Sequence, residues 1–116
     1  MMLVDDQPPV LRVMAALVEE TTGFEVIGCA ASGEEAVTMA GRLLPDLVVM
    51  DVNLPGIDGL EATRRIVARR PATVVLLVST YDEEAGPSLL AECGAAAYVT
   101  KAEFGPDWLD EVWSGS

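Results

Sequence analysis

The sequence of 116 residues contains no histidine. This absence excludes imidazole catalysis, histidine metal ligands and a phosphohistidine carrier. Aromatic residues make up only 5% of the chain, so a core built from its 51% hydrophobic residues must be aliphatic. No apolar run approaches the roughly 18 residues of a membrane-spanning helix, and we expect no membrane association. The opening MMLVDD lacks the basic region of a secretory signal, so we expect a cytoplasmic protein.

Positive charge and cysteine are also scarce. Seven Lys and Arg residues stand against 19 Asp and Glu, which gives a net charge of -12 and a pI near 4.1. Such an acidic surface repels phosphate backbones, so we expect no direct binding of nucleic acid by this chain. The two cysteines, Cys29 and Cys93, lie among small apolar residues. We expect both to be buried, unpaired thiols of a reducing compartment.

Apolar runs alternate with segments of helical periodicity along the whole chain, whose length is typical of one domain. Five runs are predicted to be strands: Met1–Val4, Phe24–Ala30, Leu47–Met50, Thr73–Val78 and Ala96–Thr100. Because these strands show no polar alternation, both of their faces should be buried. The pattern therefore predicts an α/β fold, with a parallel sheet covered by helices on both faces.

Capping residues locate several helix starts. Ser32, followed three residues later by Glu35, forms a capping box, and Asp58 is predicted to cap the helix after the third strand. Between the fourth and fifth strands, Gly86 and Pro87 disfavour helix. We therefore expect the helix in that interval to start late or irregularly.

Polar residues follow four of the five predicted strands. They are Asp5 and Asp6 after the first, Asp51 after the third, Ser79 and Thr80 after the fourth, and Lys101 after the fifth. A single Asp after a strand is ordinarily a turn former or a helix cap. The carboxyl ends of parallel strands, however, meet at one edge of the sheet, where ligands bind. The set as a whole therefore predicts a functional site.

Three close carboxylates repel one another unless a cation lies between them. A hard divalent ion with oxygen ligands fits, and Mg²⁺ is the expected one. A lysine and a hydroxyl nearby would complete a cage for a phosphoryl group. A carboxylate can itself act as a nucleophile and form an acyl phosphate. The residues therefore predict an aspartyl-phosphate site with Asp51, presented at the end of a buried strand, as the acceptor.

Four segments resemble the receiver domain of bacterial two-component response regulators. They are VDD (4–6), VVMDVNLPGIDG (48–59), VVLLVSTYDE (74–83) and GAAAYVTKA (94–102). These segments look most like the corresponding sequences of regulators that carry a C-terminal helix-turn-helix DNA-binding effector. The resemblance implies a flavodoxin-like (βα)5 three-layer sandwich, with a five-stranded parallel sheet of order 2-1-3-4-5.

The resemblance also assigns roles to individual residues. Asp51 would accept a phosphoryl group from a sensor histidine kinase or a phosphotransfer protein. The Mg²⁺ ligands would be Asp5, Asp6, Asp51 and the backbone carbonyl of Asn53, with Asp6 binding more directly than Asp5. Ser79 would be the switch hydroxyl, Lys101 would pair with the phosphoryl group, and the Tyr98 ring would follow Ser79. Asn53 and Tyr81 would flank the approach of the water that hydrolyses the acyl phosphate.

The helix before the fifth strand, the fifth strand and the last helix form the usual output face of this family. Phosphorylation would switch this face, through which the domain would dimerise or control transcription by means of an effector domain absent from this chain. We expect residues 1–113 to form the receiver domain and residues 114–116 to be the start of a linker or an artificial end. We therefore expect the chain to be a fragment of a longer regulator rather than a single-domain regulator.

Two other classes of function fit parts of the pattern. A phosphatase of the haloacid-dehalogenase type also uses an Asp nucleophile after a strand together with Mg²⁺. It needs a second Asp two residues later as general acid-base, and Asn53 occupies that position here. The chain also has no room for a cap domain, so we expect no enzyme. The remaining alternative is an interaction module that works independently of phosphorylation.

Overall fold

The computed structural model describes residues 1–79, 90 and 92–114. The strands are β1 (Met2–Val4), β2 (Gly28–Ala30), β3 (Leu47–Asp51), β4 (Val74–Ser79) and β5 (Ala97–Thr100). The helices are α1 (Pro8–Glu19), α2 (Gly33–Leu43), α3 (Gly59–Arg69) and α4 (Pro106–Ser114). Leu90, Glu92 and Cys93 are also helical, as predicted for the end of the helix before β5. The expected late start of that helix, at Gly86 and Pro87, lies outside the described residues.

All five strands are parallel and lie in the order β2-β1-β3-β4-β5. This order confirms the predicted sheet. Because all five strands run in the same direction, their carboxyl ends lie at the same edge of the sheet. The register pairs Asp51 with Val78 and Ser79 with Thr100, which keeps the ends of β3, β4 and β5 level.

The core is divided by the sheet into two aliphatic clusters. Alternate strand residues point to opposite faces, so Met50 joins the cluster under α2 and α3 while Val49 joins the one under α1 and α4. Both side chains are fully buried. The absence of polar alternation in the strands is thereby explained, because each face is covered. Phe104, 6% exposed, is an aromatic exception in the second cluster.

Two predicted helix caps are confirmed. The Ser32 hydroxyl accepts a hydrogen bond from the Glu35 backbone N–H (3.1 Å), and the Asp58 carboxylate accepts one from the Glu61 N–H (2.9 Å). Each bond satisfies an amide that the first helical turn leaves without a partner. These caps fix where α2 and α3 begin.

The second strand is shorter than predicted, because only Gly28–Ala30 pair with β1. The residues before it run beside Met1 without forming a ladder. The Ile27 N–H donates to the Met1 carbonyl (2.8 Å), and the Met1 ammonium donates to the Glu25 carbonyl (2.7 Å).

The prediction of two buried thiols is wrong for Cys29, which is exposed, and correct for Cys93, which is 2% exposed. Both are free of disulfides. Cys29 lies opposite the fully buried Leu3, but on the edge strand β2. It lines a shallow groove against Leu11 and Ala15 of α1. β2 is an edge strand, with a neighbouring strand on one side only, and the sequence pattern does not reveal which strands lie at the edges.

None of the helices in the described part of the chain is long and apolar enough to span a bilayer. The last helix continues through Ser114, while residues 115 and 116 lie outside the described residues. The proposed division of the chain at residue 113 stays a prediction.

Candidate functional site

The predicted site residues converge at the carboxyl edge of the sheet. Asp5 directly follows β1, Asp51 is the last residue of β3, Ser79 is the last residue of β4, and Lys101 directly follows β5. The Lys101 N–H donates to the Ser79 carbonyl (2.8 Å), so the pairing of β4 and β5 carries on to the lysine. The topology alone therefore brings four segments of the chain to one place.

Three carboxylates cluster at this edge. One oxygen each from Asp5, Asp6 and Asp51 can be chosen so that all three lie within 4.8 Å of one another. Asp5 is fully buried, Asp51 is 3% exposed and Asp6 is exposed to solvent. The cluster is thus open on the side of Asp6 and closed beneath by the sheet.

Lys101 supplies the positive charge. Its Nζ lies 2.9 Å from Asp5 Oδ2 and 3.5 Å from Asp51 Oδ2. Partial burial alone would lower the pKa of Lys101, but the adjacent carboxylates of Asp5 and Asp51 outweigh it and raise that pKa. The lysine therefore stays charged and bridges the two buried acids.

Burial, followed by the negative charge of Asp5, raises the pKa of Asp51 to about 6. The charge of Lys101 and the hydrogen bond from the Asn53 N–H lower the pKa of Asp51, but by less than burial and Asp5 raise it. A buried carboxylate beside another one is costly to ionise when a single ammonium serves both. The ionised site therefore favours binding of a further cation.

Backbone amides hold the two buried carboxylates in place. The Gln7 N–H donates to Asp5 Oδ1 (2.9 Å), and the Asn53 N–H donates to Asp51 Oδ1 (3.2 Å). Gln7 also lies at the N-cap position of α1, although its side chain makes no cap hydrogen bond. Sequence analysis did not identify Gln7, and the signal available was its place just before Pro8.

The loop after Asp51 is closed at its base. The Gly59 N–H donates to the Val52 carbonyl (2.9 Å), and a Cβ on Gly59 would collide with the Asp51 carbonyl oxygen. Only glycine allows α3 to start this close to the end of β3. Sequence analysis missed Gly59, whose only signal was its position directly after the cap residue Asp58.

The observed donor set fits the magnesium ion that was predicted. Asp5 Oδ2 is buried, and the Lys101 ammonium with which it pairs at 2.9 Å is shared with Asp51 Oδ2, 3.5 Å away. Two buried carboxylates that share one ammonium keep a net negative charge, which a further cation would neutralise. Carboxylate oxygens are the ligands that Mg²⁺ prefers. Asp5, Asp6 and Asp51 therefore have both the chemistry and the spacing of a metal site.

The remaining predicted residues lie as follows. Ser79 is fully buried, and Asn53 is exposed, directly beyond the Asp51 strand end. Tyr98 lies in β5, where it is half-buried against the core cluster under α2 and α3. The signalling roles predicted for these three residues are not tested by their positions. Thr80 and Tyr81 lie outside the described residues.

An open parallel sheet with a buried acid cluster and a lysine at its carboxyl edge defines a receiver-type α/β domain. The model of the response regulator receiver domain matches residues 1–112. The chain belongs to this family.

Named relatives agree with the family. The chain is 41% identical over 100 residues to the response regulator GacA of Pseudomonas viridiflava, a match that covers 86% of this chain and 47% of that protein. It is 36% identical over 115 residues to protein-glutamate methylesterase/protein-glutamine glutaminase 2 of Methanospirillum hungatei, covering 96% of this chain and 33% of that protein. The chain thus spans about half of the first relative and a third of the second.

A solved structure has the same fold. The crystal structure of a two-component response regulator of the LuxR family from Aurantimonas sp. SI85-9A1 matches with a TM-score of 0.81 and 33% identity. The match covers 98% of this chain and 94% of that one. The flavodoxin-like sandwich expected from the sequence is confirmed.

Proposed function

We propose that this chain accepts a phosphoryl group on Asp51 with the help of Mg²⁺ and passes the change to an output face. The observation that carries the proposal is the pairing of Asp51 and Asp5 with a single ammonium, that of Lys101, at the open edge of the sheet. A rigid carboxylate with raised pKa and an adjacent cation is suited to receive a phosphoryl group.

The metal would be held by the carboxylates of Asp5, Asp6 and Asp51 and by the backbone carbonyl of Asn53, as the family resemblance implies. When bound, Mg²⁺ neutralises negative charge on the transferring phosphoryl oxygens.

The residues of the chain would divide the remaining work. An Asp51 carboxylate oxygen attacks the phosphorus, its bond to phosphorus forms as the bond to the donor atom breaks, and the donor leaves with that electron pair. Asn53 N–H holds Asp51 Oδ1 at 3.2 Å and so orients the carboxylate. Lys101, already beside Asp51, would pair with the new phosphoryl group, and Ser79 would donate its hydroxyl proton to a phosphoryl oxygen.

The donor we propose is a sensor histidine kinase or a phosphotransfer protein. Beside the site, α1 and the segment after β5 line an open apolar cavity of about 300 Å³, whose lining residues include Val10, Leu17, Phe104 and Lys101. On its rim Val13 is 60% exposed. An apolar surface this close to the acceptor supports docking of the protein that presents the phosphohistidine.

The output we propose is control of transcription in the cytoplasm, through an effector domain that this chain does not contain. The support is the likeness to GacA and to a LuxR-family regulator. The chain itself would have no enzymatic activity beyond its own phosphorylation chemistry, and the output face would also serve dimerisation.

The intact mass of the protein after incubation with Mg²⁺ and acetyl phosphate tests the acceptor. We expect one added phosphoryl group on wild type and none on Asp51→Asn. Asp58→Asn is the matched control, because it removes an exposed acid from the same loop and asparagine also caps helices. A wild-type mass that does not change would instead favour an interaction module that works without phosphorylation.

The docking surface is tested separately with Val13→Asp. We expect slower phosphorylation by a histidine phosphotransfer protein that is active on wild type, but an unchanged rate with acetyl phosphate, which needs no docking surface. Equal slowing with both donors would count against docking at α1.

A further inference from the structure

The loop between Asp51 and α3 is held by α2 near the end that leads into α3. The Ile57 N–H donates to Glu34 Oε2 (3.2 Å), a bond between residues that lie 23 positions apart. Glu34 is in the first turn of α2, whereas Ile57 lies near the end of the loop, directly before Asp58, the N-cap residue of α3. This bond joins two helix–loop units that are not neighbours in sequence.

Two glycines allow this contact. Gly56 has a φ of +73°, and a Cβ there would collide with the Glu34 carboxylate. A Cβ on Gly33 would lie 2.6 Å from the Ile57 carbonyl oxygen. At Gly33 the start of α2 therefore approaches the loop backbone more closely than a residue with a side chain would permit.

The contact completes the confinement of the loop. Gly59 N–H donates to the Val52 carbonyl (2.9 Å), and two residues earlier Ile57 is bonded to Glu34. Asn53 lies between these two ties, with its N–H on Asp51 Oδ1 (3.2 Å).

We propose that Glu34 is a positioning residue for the metal site: its carboxylate fixes the loop so that the Asn53 carbonyl is available to Mg²⁺ and its N–H to Asp51. The proposal rests on the function proposed above, in which the Asn53 carbonyl is a ligand. Glu34 acts through the loop and touches neither the ion nor the phosphoryl group. Mg²⁺ demands nearly ideal octahedral geometry, so a small displacement of one ligand weakens binding.

The test compares three variants. Glu34→Ala removes the acceptor, Glu34→Gln retains an acceptor oxygen of the same reach without the charge, and Glu35→Ala removes the neighbouring exposed acid of the same helical turn. Mg²⁺ affinity is measured by isothermal titration calorimetry. Amide hydrogen exchange of Asn53 is measured by NMR in EDTA.

We expect Glu34→Ala to bind Mg²⁺ about three- to tenfold more weakly than wild type, the factor that loss of one hydrogen bond ordinarily produces. Its Asn53 amide should exchange faster by a similar factor. Glu34→Gln and Glu35→Ala should both stay within about twofold of wild type, since the first keeps the hydrogen bond and the second never made it.

Equal weakening by Glu34→Gln and Glu34→Ala would overturn the proposal, because the charge alone would then be responsible. Equal weakening by Glu35→Ala would overturn it too, since the effect would belong to the helix start. If wild type bound no Mg²⁺, the proposed function would fail. The exchange rates in EDTA would still decide whether Glu34 holds the loop, and an unchanged Asn53 rate in Glu34→Ala would refute that as well.

Discussion

Replacing Asp51 by asparagine should stabilise the protein when no divalent cation is present. In the folded chain Asp51 is 3% exposed and carries its charge beside the buried Asp5. Asparagine has the same shape, keeps an oxygen to accept the Asn53 N–H, and carries no charge. The substitution therefore removes an unfavourable burial of charge at the cost of the contact between Asp51 and Lys101.

The magnitude follows from the pKa of Asp51, which rises from 3.8 to about 6 on folding. Two units correspond to about 3 kcal/mol of folding free energy lost when the carboxyl is ionised, at about 1.4 kcal/mol per unit. The lost Lys101 contact is already contained in that net shift. We therefore expect Asp51→Asn to raise the free energy of unfolding by about 2–3 kcal/mol at pH 8, or roughly 10 °C in Tm.

The sign of the pH dependence is fixed by the same shift. Between about pH 4 and pH 6 the folded protein holds a proton on Asp51 that the unfolded chain has released, so this group makes stability fall as pH rises. Above about pH 6 to 7 Asp51 is ionised in the folded protein, and the whole unfavourable free energy of burying its charge is present. The advantage of the asparagine variant should accordingly be largest at pH 8 and should vanish near pH 4.

Urea unfolding in EDTA at pH 8, pH 6 and pH 4 measures the difference, with Asp58→Asn as the control for loss of an exposed charge from the same loop. Adding Mg²⁺ should stabilise wild type more than the variant and narrow the gap at pH 8. An asparagine variant that is no more stable than wild type in EDTA at pH 8 would refute the reasoning, and so would a gap that does not depend on pH.

Three further predictions concern individual residues. Asp6→Asn should weaken Mg²⁺ binding strongly, and Asp5→Asn should weaken it less. Equal Mg²⁺ affinity of wild type and the Asp6 variant in titration calorimetry would contradict the assignment. Ser79→Ala should still be phosphorylated but should no longer pass the change to the output face, because it lacks a charge-assisted hydrogen bond of roughly 1–3 kcal/mol to the phosphoryl group. Amide shifts around Tyr98 on phosphorylation that survive the substitution would disprove this. Gly59→Ala should destabilise the fold by about 1–3 kcal/mol in urea unfolding, because its Cβ would meet main-chain oxygen. Gly41→Ala, where a Cβ would have only the Arg69 guanidinium within 4 Å, should instead stabilise α2 by about 0.5–1 kcal/mol; the same sign for both would argue against the close contact at α3.

Most of the sheet could be predicted because the strands are buried on both faces. A run such as Leu47–Met50 has no polar alternation, and that pattern has few explanations other than a covered parallel strand. The convergence of Asp5, Asp51 and Lys101 followed, since parallel strands end at one edge. The helix start at Ser32 could be predicted because a capping side chain bonds to an amide within the first helical turn.

The features that sequence could not predict depend on neighbours distant in the chain. The exposure of Cys29 follows from the edge position of β2 and from how far α1 reaches over it. The bond from Ile57 to Glu34 spans 23 positions and has no periodic signature. Sequence also does not show that Asp5 is buried while Asp6 is exposed, because the turn after β1 decides which carboxylate faces inward.

The order in which the site residues lie along the chain has a consequence for synthesis. Asp5 and Asp51 are both translated before Lys101, which follows Asp51 by 50 positions. A chain emerging from the ribosome therefore carries both carboxylates before their lysine exists. Until β5 pairs with β4, those acids must remain protonated, stay hydrated or bind a cation from solution. The charge balance of the site is therefore completed only when β5 pairs with β4 and brings Lys101 to the two carboxylates.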